Sequence, residues 1–146
     1  MSRPGEIGEQ KVTDAWSLRL ETVLAGGGNI ILAEVDGQGS EGQGEAWQRM
    51  LEGGVGEVDV RDQVSALHWV MERYQVDRAR VGVMGANYGG YLGVKMVTDT
   101  RHGGGEAVTC ALVRSPVTDW RAQGEEDMAS SASSDTQSST CRHFPN

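Results

Sequence analysis

Residues 81–92 read VGVMGANYGGYL. Val81, Val83 and Met84 form an apolar run, Gly85, Gly89 and Gly90 bracket a sharp turn, and the chain from Tyr88 onward has the composition of a helix start. A strand that turns this tightly into a helix holds one residue at positive φ, which most side chains resist and which Asn tolerates better than other non-glycine residues. The stretch therefore predicts a strand at Arg80–Met84, a turn at Asn87 and a helix from Tyr88 to about Val97.

Working outward, residues 59–74 carry Val60, Val64, Leu67, Met71 and Tyr74, separated by four, three, four and three. That spacing defines one helical face, with Arg61, Ser65, His68 and Glu72 turned away from it toward solvent. Further upstream, Asn29–Val35 is a short apolar run with β-branched residues, preceded by Gly26-Gly27-Gly28 and followed by a Gly-rich loop, Asp36–Gly44. It reads as a strand buried on both faces. Downstream, Ala107–Val113 reads as another strand, ended by Ser115-Pro116. Alternating strands and helices of this kind predict an α/β fold with a mainly parallel sheet and right-handed crossovers.

The chain has 146 residues, 21 acidic against 13 basic, and a formal charge of −8. This balance argues against nucleic acid or an anionic membrane as a partner, because phosphate recognition requires clustered Lys and Arg. No stretch approaches the roughly 20 apolar residues of a membrane span, and MSRPGEIGEQ at the N-terminus lacks the apolar core of a signal peptide. Residues 1–121 hold the core-forming composition. Residues 122–146 are polar and Ser-rich, and are expected to be a disordered tail.

With serine at position 87, residues 85–89 would spell G-x-S-x-G, the elbow on which serine hydrolases hold their nucleophile. Gly85 and Gly89 stand where that elbow needs glycine so that its helix can pass close to its strand, and Gly90 adds room. Asn87 satisfies the backbone but not the chemistry. Its amide nitrogen lone pair is delocalised, and a neighbouring base has no hydroxyl or thiol to activate. A plain strand-to-helix turn fits the spacing equally well. A dinucleotide-binding loop fits it less well, because the glycines do not follow G-x-G-x-x-G.

Several segments together resemble the prolyl oligopeptidase family, in its dipeptidyl-peptidase branch. Asp36-Gly37-Gln38-Gly39-Ser40 is similar to that branch's D-G-R-G-S loop, with Gln38 in place of Arg. Asp59–Gln63 resembles the E-x-x-D-Q start of its long helix, and Val76–Val81 the approach to the nucleophile strand. Asn87-Tyr88-Gly89-Gly90-Tyr91 matches S-Y-G-G-Y except at the nucleophile, and Ala111–Trp120 resembles the next strand and its end. Val12–Trp16 looks like a stretch of the silent members that accompany A-type potassium channels, which also lack the elbow serine. The resemblance spans roughly residues 7–121.

The resemblance implies a partial α/β-hydrolase domain. It puts Asn87 at the nucleophile position and the backbone N–H of Tyr88 at one oxyanion position, and leaves no catalytic residue. The family's second oxyanion donor, a tyrosine hydroxyl, has no counterpart, and Asp119, Asp127, His102 and His143 do not match the contexts of its acid and base. No cofactor or metal is implied; the loop at Asp36 lacks the alternating carboxylates of a calcium site. The implied parent is a single-pass plasma-membrane protein with this domain outside the cell, homo-oligomeric, and an auxiliary subunit of A-type voltage-gated potassium channels. A serine exopeptidase and a truncated product without function are the competing readings.

The remaining residues carry plainer expectations. His68 is expected on the surface and His102 in a loop. Cys110 is expected to be an unpaired buried thiol, with Cys141 in the tail. Glu125 and Glu126 read as solvating charge, and Trp16, Trp47, Trp69 and Trp120 as core or interface packing. An unpaired sheet edge and exposed apolar faces predict poor solubility in isolation.

Overall fold

The structure, a computed structural model, describes residues 7–120 and the strand at 137–141. In chain order it contains helices α1 (Leu20–Gly26), α2 (Glu45–Gln48) and α3 (Val58–Arg73), strand β1 (Gly82–Ala86), helices α4 (Tyr88–Thr98) and α5 (Gly104–Ala107), and strands β2 (Cys110–Arg114) and β3 (Gln137–Cys141). Short 3-10 turns occupy Arg49–Leu51 and Arg78–Arg80. β2 is the middle strand. β1 runs parallel to it, pairing Gly82 with Cys110 through Ala86 with Arg114, and β3 runs antiparallel on its other edge. A parallel pair needs a crossover, and α4 supplies it.

The predicted apolar face of α3 packs through Val60, Val64, Leu67 and Met71, whereas Tyr74, also expected on it, lies past the helix end and is 49% exposed. Val60 and Val64 meet Met96 of α4 and Val108, and Leu67 links them to a second cluster of Met71, Val81 and Ala107. Val64 and Val108 are 1% and 0% exposed, and burying a valine this fully contributes about 1.5–3 kcal/mol. α4 lies across the sheet face that carries Val83 and Val113. At Gly93 a Cβ would stand 3.2 Å from Val113 Cγ1 and 3.6 Å from Val83 Cγ2, so a small residue suits this crossing. The other sheet face shows Met84 and Leu112 to solvent, 45% and 38% exposed.

Several expectations are corrected. Asn29–Val35 is not a buried strand: among the described residues no ladder pairs with it, and Ile30 and Ile31 are exposed. A strand buried on both faces needs neighbours on both sides. This segment is tethered instead by side chains, with Gln63 Nε2 donating to the Val35 carbonyl at 3.0 Å and Glu34 facing Lys11 and Arg19 at 3.7 and 3.4 Å. The strand predicted at Arg80–Met84 begins two residues later, because Asp77 accepts the Ala79 N–H and winds Arg78–Arg80 into a 3-10 turn. The strand predicted from Ala107 begins at Cys110, because Gly103, at φ 85°, starts the extra turn of α5. Neither strand is buried on both faces.

The tryptophans do not form the core. Trp16, Trp69 and Trp120 are exposed at 84%, 58% and 40%, and Trp47 is half-buried. Cys110 is disulfide-bonded rather than a free thiol. β3 falls within the segment expected to be a disordered tail. Asp127, His143, Glu125 and Glu126 lie outside the described residues.

Candidate functional site

β1 delivers the chain to Asn87, and α4 starts at the next residue. Asn87 has φ 51° and ψ −116°, a conformation in which a Cβ is crowded and which costs about 1–3 kcal/mol in a non-glycine residue. The surrounding backbone holds it there. The Asn87 N–H donates to the Arg114 carbonyl at 3.0 Å, continuing the β1–β2 ladder. Its own carbonyl accepts from Tyr91 N–H at 3.1 Å and Val117 N–H at 3.3 Å. The turn is thus tied to the first turn of α4 and to the chain leaving β2.

Glycine at 85 is compulsory for this geometry. A Cβ there would run into the carbonyl of Gly89 and lie 2.8 Å from the Gly90 nitrogen, both backbone atoms that cannot swing aside. The roles of the other two glycines differ from the sequence expectation. A Cβ at Gly89 would meet nothing within 4 Å, whereas one at Gly90 would stand 3.1 Å from Pro116 Cα. Gly90 is therefore the residue that lets α4 pass the end of β2, and Gly89 contributes its backbone to the crowding of Gly85.

Tyr88 turns its ring away from the turn and into the protein. It is buried, and its hydroxyl donates to Oδ2 of Asp59, the second residue of α3. Asp59 is 5% exposed, and its Oδ1 accepts the Val60 N–H at 2.9 Å. Burial first, then the Asp59 carboxylate, raises the Tyr88 phenol well above the usual tyrosine range. A buried carboxylate is tolerable only when hydrogen-bonded, so this contact fixes the start of α3 against the start of α4. Tyr88 also stacks on Tyr91 with ring centres 5.9 Å apart, and Trp120 meets Tyr91 edge-on at 5.1 Å and Tyr88 at 6.1 Å. The three rings form an aromatic wall beside the first turn of α4.

A second set of contacts explains why the Gly-rich loop and the start of α3 have their sequences. Asp62 Oδ2 accepts the Gln38 N–H at 2.8 Å, while Trp47 Nε1 and Ser40 Oγ both donate to the Gly37 carbonyl, at 3.0 and 2.8 Å. Gly39, at φ 96°, admits no side chain, because a Cβ would stand 2.7 Å from Leu51. The loop at 36–40 is thereby clamped to α3.

Of the candidate acid and base residues, His102 is paired with Asp99. His102 lies beyond the far end of α4, where its Nδ1 is 3.1 Å from Asp99 Oδ1 and its N–H donates to Asp99 Oδ2 at 2.9 Å. Burial pushes the Asp99 carboxyl up. The N–H groups of Gly104, His102 and Arg101 and the His102 ring outweigh that effect and hold it below the usual carboxylate range. His68 is half-buried on α3, and Asp119 is exposed. Sequence reasoning missed Asp59 as a buried partner and Trp120 as part of the aromatic wall. The one available signal was the acidic residue that opens the Asp59–Gln63 motif. Among the described residues, no group of His, Cys, Asp and Glu could hold a metal ion, and no helix is long and apolar enough to cross a membrane.

Residues 16–139 match the prolyl oligopeptidase family. The chain belongs to that family. Its hydrolase domain has the α/β-hydrolase fold, and β1, α4 and β2 with α3 alongside are part of such a sheet. The chain is similar to dipeptidyl peptidase family member 1 of Caenorhabditis elegans, at 30% identity over 118 residues, 80% of this chain and 14% of that protein. The probable dipeptidyl-aminopeptidase B of Sclerotinia sclerotiorum is 30% identical over 118 residues, 80% of this chain and 12% of that protein. Mouse inactive dipeptidyl peptidase 10 is 29% identical over 116 residues, 80% of this chain and 14% of that protein. The chain thus spans only about an eighth of the length of these relatives.

Proposed function

We propose that the chain is part of a catalytically silent dipeptidyl-peptidase-like protein, with Asn87 in the nucleophile's place and the Tyr88 N–H in the place of an oxyanion donor. One observation carries the reading. Asn87 sits at φ 51° on a strand-to-helix turn crowded by Gly85, and its side chain offers no hydroxyl or thiol. Covalent catalysis by this family's chemistry begins with a hydroxyl giving its proton to a base, and an amide cannot take that step. The similarity to a relative named as an inactive dipeptidyl peptidase supports the same reading.

In this proposal the elbow is kept for shape, and the parent works by binding. Resemblance to the silent members points to an auxiliary subunit of A-type voltage-gated potassium channels, at the plasma membrane with this domain outside the cell. Co-expression of the parent with such a channel should change its surface level or inactivation rate, and unchanged currents refute the channel role. The second reading, a serine exopeptidase, draws on the relatives named as probable dipeptidyl-aminopeptidases. The two separate in one assay. Incubation of the purified chain with an Xaa-Pro dipeptide amide should give no release above the buffer rate. Release that a serine-directed inhibitor abolishes establishes the exopeptidase instead.

A further inference from the structure

The backbone that strains Asn87 also prepares it for a reaction with its own neighbour. Its φ of 51° and ψ of −116° match the first corner of a type II′ turn, about +60° and −120°. At this ψ the Tyr88 nitrogen eclipses the Asn87 Cβ, because N and Cβ of an L residue lie a third of a turn apart around the Cα–C bond. The same atoms are eclipsed in a five-membered imide ring. We infer that Asn87 is a site of self-modification, in which the Tyr88 backbone nitrogen closes onto Cγ of the Asn87 side chain to give a succinimide that opens to aspartate or isoaspartate.

Three features of the turn favour closure. First, the Asn87 carbonyl accepts the Tyr91 and Val117 N–H groups at 3.1 and 3.3 Å, and its N–H donates to the Arg114 carbonyl at 3.0 Å. The peptide planes on both sides of its Cα are therefore held, and ψ with them. Second, Tyr88 is the first residue of α4, so its N–H has no partner within the helix. The positive end of the helix dipole favours the anion left when that N–H gives up its proton. Third, Asn87 is half-buried rather than sealed, which leaves a path for the water that opens the ring. Folding usually slows such closure by holding ψ elsewhere. Here an unfolded chain must first restrict the rotation that the native turn has already fixed, a difference of about tenfold in rate.

The steps balance without any redox partner. The Tyr88 nitrogen loses its proton to a base in the solvent, and its electron pair forms the bond to Cγ. The tetrahedral intermediate expels Nδ2, which takes up a proton from water and leaves as ammonia. Water then adds to one of the two imide carbonyls. Cleavage of the bond from the Tyr88 nitrogen to Cγ restores the main chain and leaves aspartate. Cleavage of the bond from that nitrogen to the main-chain carbonyl carbon leaves isoaspartate, with the main chain routed through Cγ. Either way one water is consumed, one ammonia is released, and a neutral amide at the turn becomes a carboxylate.

The test is peptide mapping of the intact chain incubated in mildly alkaline buffer, against the same chain incubated in guanidinium chloride. In buffer, the peptide containing residues 81–92 should first appear lighter by one ammonia and then carry aspartate and isoaspartate at position 87. This conversion should run about tenfold faster in the folded chain than in the denatured one. It should also outpace conversion of the exposed Asn29 in the same sample. Asn87→Gly, which suits a positive φ, should show no ammonia loss from that peptide. Conversion at Asn87 that is equal or slower in the folded chain, conversion slower than at Asn29, or an ammonia loss that persists in Asn87→Gly would each overturn the inference.

Discussion

Removing the Tyr88 hydroxyl tests whether the buried contact between α3 and α4 holds the turn in place. In Tyr88→Phe the ring keeps its place beside Tyr91 and Trp120, so packing is retained. The loss falls on Asp59, which is 5% exposed and keeps the Val60 N–H as a donor. Hydrogen bonds to charged groups contribute about 1.5–3 kcal/mol, and the orphaned buried carboxylate puts the expected cost near the top of that range. Asp59→Asn should cost less, about 1 kcal/mol, because its amide oxygen can still accept from the phenol. The double variant should then lose less than the sum of the two, with a coupling energy of about 1.5–2 kcal/mol. Urea unfolding followed by circular dichroism measures all four corners of the cycle. The pH dependence has a definite sign. The phenol is raised in the folded state, so its contribution is complete below the unfolded value of 10.0 and is lost as pH rises through the folded value. The native protein should therefore lose stability above about pH 10 in a component that Tyr88→Phe lacks. A coupling energy under about 0.5 kcal/mol, or identical alkaline profiles, refutes the reasoning.

Other consequences follow from the same geometry. Gly85→Ala should destabilise the chain by about 2–3 kcal/mol, since the added methyl meets backbone; a melt within 1 °C of the native one would contradict the crowded turn. Asn87→Gly should be neutral or stabilising by about 1 kcal/mol, and Asn87→Val destabilising by about 2 kcal/mol, because φ is positive at 51°. Equal stability of the two variants in a urea titration would show that the turn relaxes. Asp99 is held below the usual carboxylate range. Its contribution is present above the unfolded value of 3.8 and fades as pH falls through the lower folded value. Asp99→Asn should flatten the acid limb of a stability profile below pH 4, and an unchanged limb would place the acid lability elsewhere.

The fold was legible where one strong local signal carried it. The periodicity of Val60, Val64, Leu67 and Met71 located α3, and the glycines around Asn87 located the β1–α4 turn. Strand boundaries were less legible because capping and turn residues decide them. Asp77 winds the approach to β1 into a 3-10 turn, and Gly103 with Asp99 delays β2. The apolar run at Asn29–Val35 carried a strand's composition, but composition cannot show whether a neighbour is present to pair with it. Tyr88 was noticed in the sequence for its backbone N–H, whereas its side chain makes the buried contact. The partner lies 29 positions away, a distance no local pattern reaches.

The central claim is that Asn87 keeps the shape of a nucleophile elbow without its reactivity. The most direct measurement is the intact mass of the purified chain after prolonged incubation with a fluorophosphonate probe, which bonds covalently to activated serine hydroxyls. The account predicts no mass added by the probe and no labelled peptide covering residues 81–92. A stoichiometric mass increase that is lost on prior denaturation would contradict it.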